Sequence, residues 1–196
     1  EMCQGIGSSE YFAIYSFGCR TNQSDTEQII GSLKNSNLEQ VDFDEKADVY
    51  VINTCTVTQK SDTEARNMIH AAMRHNRVAK IFITGCYATW AKKELAEKYQ
   101  NAQILTNNEK YSVARLIAKP ENQMDSIDSP SPFGDKDSFH LETQFLWSGP
   151  EATVTRPNVK IQDGCNNNCS FCIVPKVRGR ERSLPFADVI NRSIAY

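Results

Sequence analysis

Three cysteines fall within eight residues in Asp163-Gly-Cys165-Asn-Asn-Asn-Cys169-Ser-Phe-Cys172, and this C-x3-C-x2-C spacing turns their sulfurs toward one point only if the backbone wraps around it. Thiolates gathered in this way are metal ligands. A structural zinc closes four protein ligands around the ion, and no fourth Cys or His follows this loop at zinc-like spacing; the nearest His is His140. A 4Fe-4S cube held by three thiolates leaves one iron open to a substrate or cofactor, and cysteine runs of this density are typical of such clusters. A disulfide framework suits an odd number of cysteines least, and the sequence has no secretory context. An open cluster and a zinc knuckle are thus the rival readings of this loop.

A second set of cysteines lies far apart in sequence but in like positions. Ser-Phe-Gly-Cys19, Ile-Asn-Thr-Cys55 and Ile-Thr-Gly-Cys86 each follow an apolar run with strand character. In a parallel sheet the carboxyl ends of all strands emerge on one edge, where open α/β folds bind ligands. Any one of these cysteines could be a small buried hydrophobe; three placed alike point to a convergent trio, again one thiolate short of a closed site. A second iron-sulfur cluster with an open iron is the expectation. Gly18 and Gly85 fit it, because glycine lets the backbone turn tightly beside a bulky group. Cys3, the seventh cysteine, lies in an end segment of low structural signal and is given no role.

The elements that must position these thiols follow from periodicity. Tyr11–Phe17, Val49–Asn53, Lys80–Thr84 and Ala102–Thr106 are short apolar runs that alternate with helical patterns, the signature of a parallel sheet covered by helices. Ser24-Asp-Thr-Glu27 and Ser61-Asp-Thr-Glu64 read as capping boxes opening two helices. The second helix places Ala65, Met68, Ile69, Ala72 and Met73 on a single apolar face. Further helices are expected through Leu95 and from Tyr111 to Ala118. The expected fold class is therefore α/β, a small doubly wound parallel-sheet domain over residues 1–119. Residues 120–150, rich in Pro, Ser and Asp, read as an interdomain linker. In 151–196, Asn158–Gln162 is expected as a strand with the cysteine loop at its end, and Pro185 opens a helix, which makes one βα unit.

Composition narrows the classes. The 196 residues are 40% hydrophobic, enough for one good core and part of a second, and the net charge of -2 gives no global attraction to nucleic acid. No apolar run approaches the roughly 18 residues of a membrane span, and the first residues lack signal-peptide character. A reducing, cytoplasmic setting is expected, with thiols kept for metal or chemistry.

C-x3-C-x-Phe-C after Val159-Lys-Ile161-Gln resembles the radical S-adenosylmethionine superfamily. Gly-Cys19-Arg-Thr-Asn22, Asn-Thr-Cys55-Thr-Val-Thr58, Thr-Gly-Cys86-Tyr-Ala and Pro175-Lys-Val-Arg178-Gly179-Arg-Glu-Arg-Ser183 extend the resemblance to the methylthiotransferases, over about residues 11 to 196. That resemblance implies two 4Fe-4S clusters and S-adenosyl-L-methionine as cofactors. Cys165, Cys169 and Cys172 would hold the cluster that binds S-adenosylmethionine, and Cys19, Cys55 and Cys86 the cluster that carries sulfur. Phe171 matches the position beside the adenine, although alone it reads as a core aromatic. Lys176, Arg178, Arg180 and Arg182 form a basic run that reads first as a solvated face; with tRNA as substrate, Arg178 is a candidate for a phosphate or S-adenosylmethionine carboxylate. No side chain of this stretch is assigned as a catalytic acid or base.

The activity implied is insertion of sulfur into an unactivated C-H bond followed by methylation, with a tRNA anticodon stem-loop, a sulfur donor and an electron donor such as flavodoxin or ferredoxin as partners, and no membrane. The motifs around Cys19 and Cys55 are most similar to the branch acting on threonylcarbamoyladenosine. Isopentenyladenosine in tRNA and an aspartate of a ribosomal protein are the alternatives within the family, and a non-catalytic iron-sulfur or zinc module that binds RNA is the alternative outside it. A complete (β/α)8 barrel takes about 250 residues. The chain is therefore expected to end inside its second domain, as the start of a truncated radical SAM (β/α) barrel without the later strands and the RNA-binding TRAM domain.

Overall fold

The structure is a computed structural model that describes residues 10–56, 59–118 and 158–194. Cys3 and the expected linker 120–150 lie outside the described residues. Five strands, β1 (Tyr11–Ser16), β2 (Glu39–Gln40), β3 (Val49–Thr54), β4 (Lys80–Gly85) and β5 (Ala102–Ile104), form one sheet in the order β2-β1-β3-β4-β5, with every pair parallel. All six residues of β3 are buried, as a central strand covered on both faces requires. Its alternation divides the core. Val49 and Val51 pack with Phe12, Phe82, Ile29 and Leu33 of α1 (Arg20–Asn35), and with Val113 and Ile117 of α5 (Val113–Ala118). Tyr50 and Ile52 face the other way, against Ala65, Ile69 and Ala72 of α2 (Gln59–His75), Tyr87 and Ala88 of α3 (Cys86–Trp90), and Leu95 of α4 (Lys92–Lys98). Each fully buried Ile, Leu or Phe on these faces contributes about 1.5–3 kcal/mol of transfer free energy. The domain is α/β and doubly wound, as the periodicity predicts.

Four local expectations are corrected. Neither capping box opens its helix. The first begins at Arg20 with Cys19 as an N-cap that makes no side-chain capping bond, and Asn22 instead ties the turn by donating to Phe17 O and Thr54 O. The second begins at Gln59, before Ser61. The helix expected through Leu95 is two, separated at Ala91, and the last helix enters through a 3-10 turn, Lys110–Ser112. The strand expected over Asn158–Gln162 is only Gln162–Asp163 (β6), and it pairs antiparallel with Arg182–Ser183 (β7). Between them lies α6 (Val174–Arg178), and α7 (Phe186–Ile194) follows. The cysteine loop is therefore closed by its own ribbon, not hung from a single long strand. Among the described residues no helix is long and apolar enough to cross a membrane.

Candidate functional site

The strand order puts the topological switch of the sheet between β1 and β3, and in this class of fold ligands bind at the carboxyl ends of the strands beside such a switch. Cys19 caps the helix after β1, Cys55 directly follows β3, and Cys86 directly follows β4. Thr54 and Gly85 are register partners, so Cys55 and Cys86 each leave the sheet one residue beyond a paired position. Both are buried and Cys19 is exposed; none of the three is in a disulfide. The backbone is shaped around them. Gly18 has φ +87°, and a Cβ there would stand 2.5 Å from Cys55 Sγ. Gly85 has φ +96°, and a Cβ there would collide with Thr54 O. Thr54 Oγ1 donates to Thr84 O and accepts from Ala88 N at 3.1 Å, which fixes the end of β3 against α3. Asn107 donates through Nδ2 to Cys86 Sγ at 3.7 Å and to Val177 O at 2.8 Å. The three share one rim; among the described residues no three or more His, Cys, Asp or Glu side chains are grouped as a metal-ion site.

The second trio lies on the loop between β6 and α6. Cys165 and Cys172 are half-buried and Cys169 is exposed, all as free thiols. Cys172 N donates to Cys169 O at 3.0 Å, Cys165 N to Gly179 O at 3.1 Å, and Leu184 N to Ile161 O at 2.8 Å, so the loop is drawn shut at its base. Phe171 is 91% exposed, which excludes the core-aromatic reading and leaves an open ring at the tip of the thiol loop.

Between the two trios lies a buried ionic network whose members sequence reasoning did not assemble. Asp25 Oδ2 accepts from Lys110 Nζ at 2.6 Å and Arg178 Nη2 at 3.0 Å, and its Oδ1 accepts from Lys160 Nζ at 2.6 Å and Tyr111 Oη at 2.8 Å. Asp163 Oδ2 accepts from Lys160 Nζ at 2.7 Å, and Asp163 Oδ1 from Arg178 Nη1 at 2.9 Å. Burial alone would raise the Asp25 carboxyl, but Lys110, Lys160 and Arg178 hold it well below the usual carboxylate range. Burial pulls the Lys110 ammonium down to about 8 against the opposing field of Asp25. Burial also works against the Arg178 charge, yet Asp25 and Asp163 hold its guanidinium above its ordinary value.

Arg178 is thereby placed differently from the expectation that it contacts a phosphate or the S-adenosylmethionine carboxylate. Its side chain is 5% exposed and binds Asp25, Asp163 and Asn22. The basic run is not one solvated face either. Arg180 is exposed, Lys176 Nζ sits 5.7 Å from the centre of the Trp90 ring, and Arg182 Nη2 donates to Arg178 O. The signal that could have found the network was present in part: Lys160 lies within the expected strand Asn158–Gln162 and Asp163 directly follows it, and a charged residue that becomes buried is almost always paired.

With this geometry in hand, comparison with known proteins is specific. Residues 11–107 match the model of a family described as uncharacterized protein family UPF0004. The chain is 33% identical to the threonylcarbamoyladenosine tRNA methylthiotransferase MtaB of Aquifex aeolicus, over 92% of this chain and 43% of the relative. It is 35% identical to the protein of the same name from Bacillus subtilis, over 92% of this chain and 39% of the relative. Over more than nine tenths of its length the chain is similar to methylthiotransferases. A tRNA-2-methylthio-N(6)-dimethylallyladenosine synthase from Fusobacterium nucleatum is 30% identical over 91% of this chain and 40% of that protein, so identity alone does not separate the branches of the family. The chain spans about two fifths of the length of the curated relatives it matches, at 43%, 39% and 40%. The rim trio lies within the matched residues 11–107, and the loop trio lies outside them.

Proposed function

We propose that this chain carries the thiol framework of a radical methylthiotransferase that modifies an adenosine in tRNA. The observation that carries the reading is the placement of Cys19, Cys55 and Cys86 past the carboxyl ends of three neighbouring parallel strands beside the switch point. The residues present fit iron-sulfur clusters in chemistry. Both trios are all-sulfur donor sets outside any disulfide, and Gly18 keeps clear the space beside Cys55 Sγ that a Cβ would fill. Cys19, Cys55 and Cys86 would hold one 4Fe-4S cluster, and Cys165, Cys169 and Cys172 the other. When bound, the clusters and S-adenosylmethionine would supply a radical that removes hydrogen from an unactivated C-H bond, together with the sulfur and methyl that take its place.

The chain's own residues bind, orient and shield. Phe171 offers an exposed ring beside the loop thiols on which an adenine can stack. Asn107 aims a donor at Cys86 Sγ, and Thr54 holds the rim in register. Residues 1–119 form the sulfur-bearing domain, and 151–196 belong to the domain that binds S-adenosylmethionine, with 120–150 joining them. Threonylcarbamoyladenosine is the substrate favoured, on the motifs around Cys19 and Cys55 and on the names of the Aquifex and Bacillus relatives.

Two measurements test this. Anaerobic reconstitution is expected to give a brown protein absorbing near roughly 400 nm, as Cys-ligated iron-sulfur clusters do; a colourless protein with stoichiometric zinc would overturn the cluster reading. Nucleoside analysis of tRNA from a strain lacking the gene is expected to lose the methylthio group from threonylcarbamoyladenosine alone. Loss from dimethylallyladenosine instead would move the chain to the other tRNA branch.

A further inference from the structure

Asp25 has no exposed side-chain surface, and each of its oxygens accepts from two donors, which fills the roughly four acceptor sites of a carboxylate. Two donors, Lys110 and Tyr111, come from the sheet domain; the other two, Lys160 and Arg178, come from residues 158–194. The latter two bracket the thiol loop, with Lys160 before Cys165 and Arg178 after Cys172. Apolar packing offers little else to hold this segment: Val177 and Leu184 are its only buried hydrophobic residues among those described, and α7 has no buried residue. Apolar contact is non-directional, whereas short ionic hydrogen bonds to both oxygens of one carboxylate fix orientation as well as distance. A buried ion pair is also a weak net source of stability but a sensitive one, because removing one partner leaves the other charge buried alone.

We propose that Asp25 is a positioning residue that sets where the Cys165–Cys172 loop stands relative to the rim of Cys19, Cys55 and Cys86, by gripping the loop from both of its flanks. None of the groups involved is a thiol, so the inference stands whether or not the trios bind iron-sulfur clusters.

Hydrogen exchange by mass spectrometry on the full chain tests it, with Asp25→Asn, Asp25→Glu and Lys160→Met. Lys160→Met removes one donor of the docked segment and leaves the contacts of Asp25 with Lys110 and Tyr111 in place, so it decides the matter even if Asp25→Asn loosens the sheet as well. Amides within residues 161–184 are expected to exchange at least about tenfold faster in Asp25→Asn and Lys160→Met, while β1, β3 and β4 keep their rates in Lys160→Met. Asp25→Glu, which keeps the charge, restores part of the protection. A second readout is Trp90, whose ring lies under Lys176 of α6. With Trp147 replaced by Phe, its quenching by acrylamide rises in the same two variants. Unchanged exchange of 161–184 in both variants, or equal acceleration of segment and sheet in Lys160→Met, would overturn the proposal.

Discussion

At Gly85 a single methyl group decides whether the rim can form. Its φ of +96° lies in the region that L side chains avoid, and the methyl would strike the carbonyl of Thr54, whose own hydroxyl fastens β3 to β4 and α3. Gly85→Ala is therefore expected to lower the free energy of unfolding by about 2 kcal/mol or more, read from the urea midpoint at constant slope. A loss below about 0.5 kcal/mol would show that the turn reshapes freely. The thiols make a separate prediction. The two trios sit on different segments and share no ligand, so replacing Cys165, Cys169 and Cys172 together by Ala should leave about half of the reconstituted iron bound, as expected when each trio holds its own cluster. Loss of all iron would show one shared site.

At the scale of elements, α1 carries the contact most sensitive to acid. Asp25 faces Lys110 and Tyr111 from the 3-10 turn and Lys160 and Arg178 from the docked segment. Burial lowers Lys110 only to about 8, while Tyr111 is raised by burial and by Asp25, and Arg178 is held up by Asp25 and Asp163, so the acid limb belongs to the carboxylates. The folded carboxyl of Asp25 is depressed, so its contribution is present above the unfolded value near about 3.9 and is lost as pH falls below it. Thermal melts of the native chain should thus lose stability steeply from about pH 4 downward, and Asp25→Asn should flatten that limb. The same helix shows what sequence can and cannot convey. Val49–Thr54 and Lys80–Gly85 were legible because buried parallel strands are apolar runs, and the cysteines were legible because they end those runs. Glu39–Gln40 was missed because a two-residue edge strand of polar side chains has no such signature. Asp25 was misread as part of a capping box, because its function lies in cations that stand 85, 135 and 153 positions away. Local spacing carries no trace of such partners.

For the whole molecule, the exposed side chains of α7 matter most. Phe186, Ile190 and Ile194 recur every four residues and are 80%, 42% and 77% exposed, so one helix face presents apolar surface to water. The folded chain is expected to bind an environment-sensitive hydrophobic dye at neutral pH, and Ile190→Lys with Ile194→Lys to remove most of that signal while the circular dichroism stays native. Dye binding that survives both changes would place the exposed apolar surface elsewhere. The sheet itself behaves oppositely. Its outermost strands, β2 and β5, are two and three residues long, whereas the strands between them have six. An open sheet recruits other chains through the unpaired N-H and C=O groups of its border strands. Borders this short offer a foreign strand only a couple of hydrogen bonds, too few for β2 or β5 to template growth.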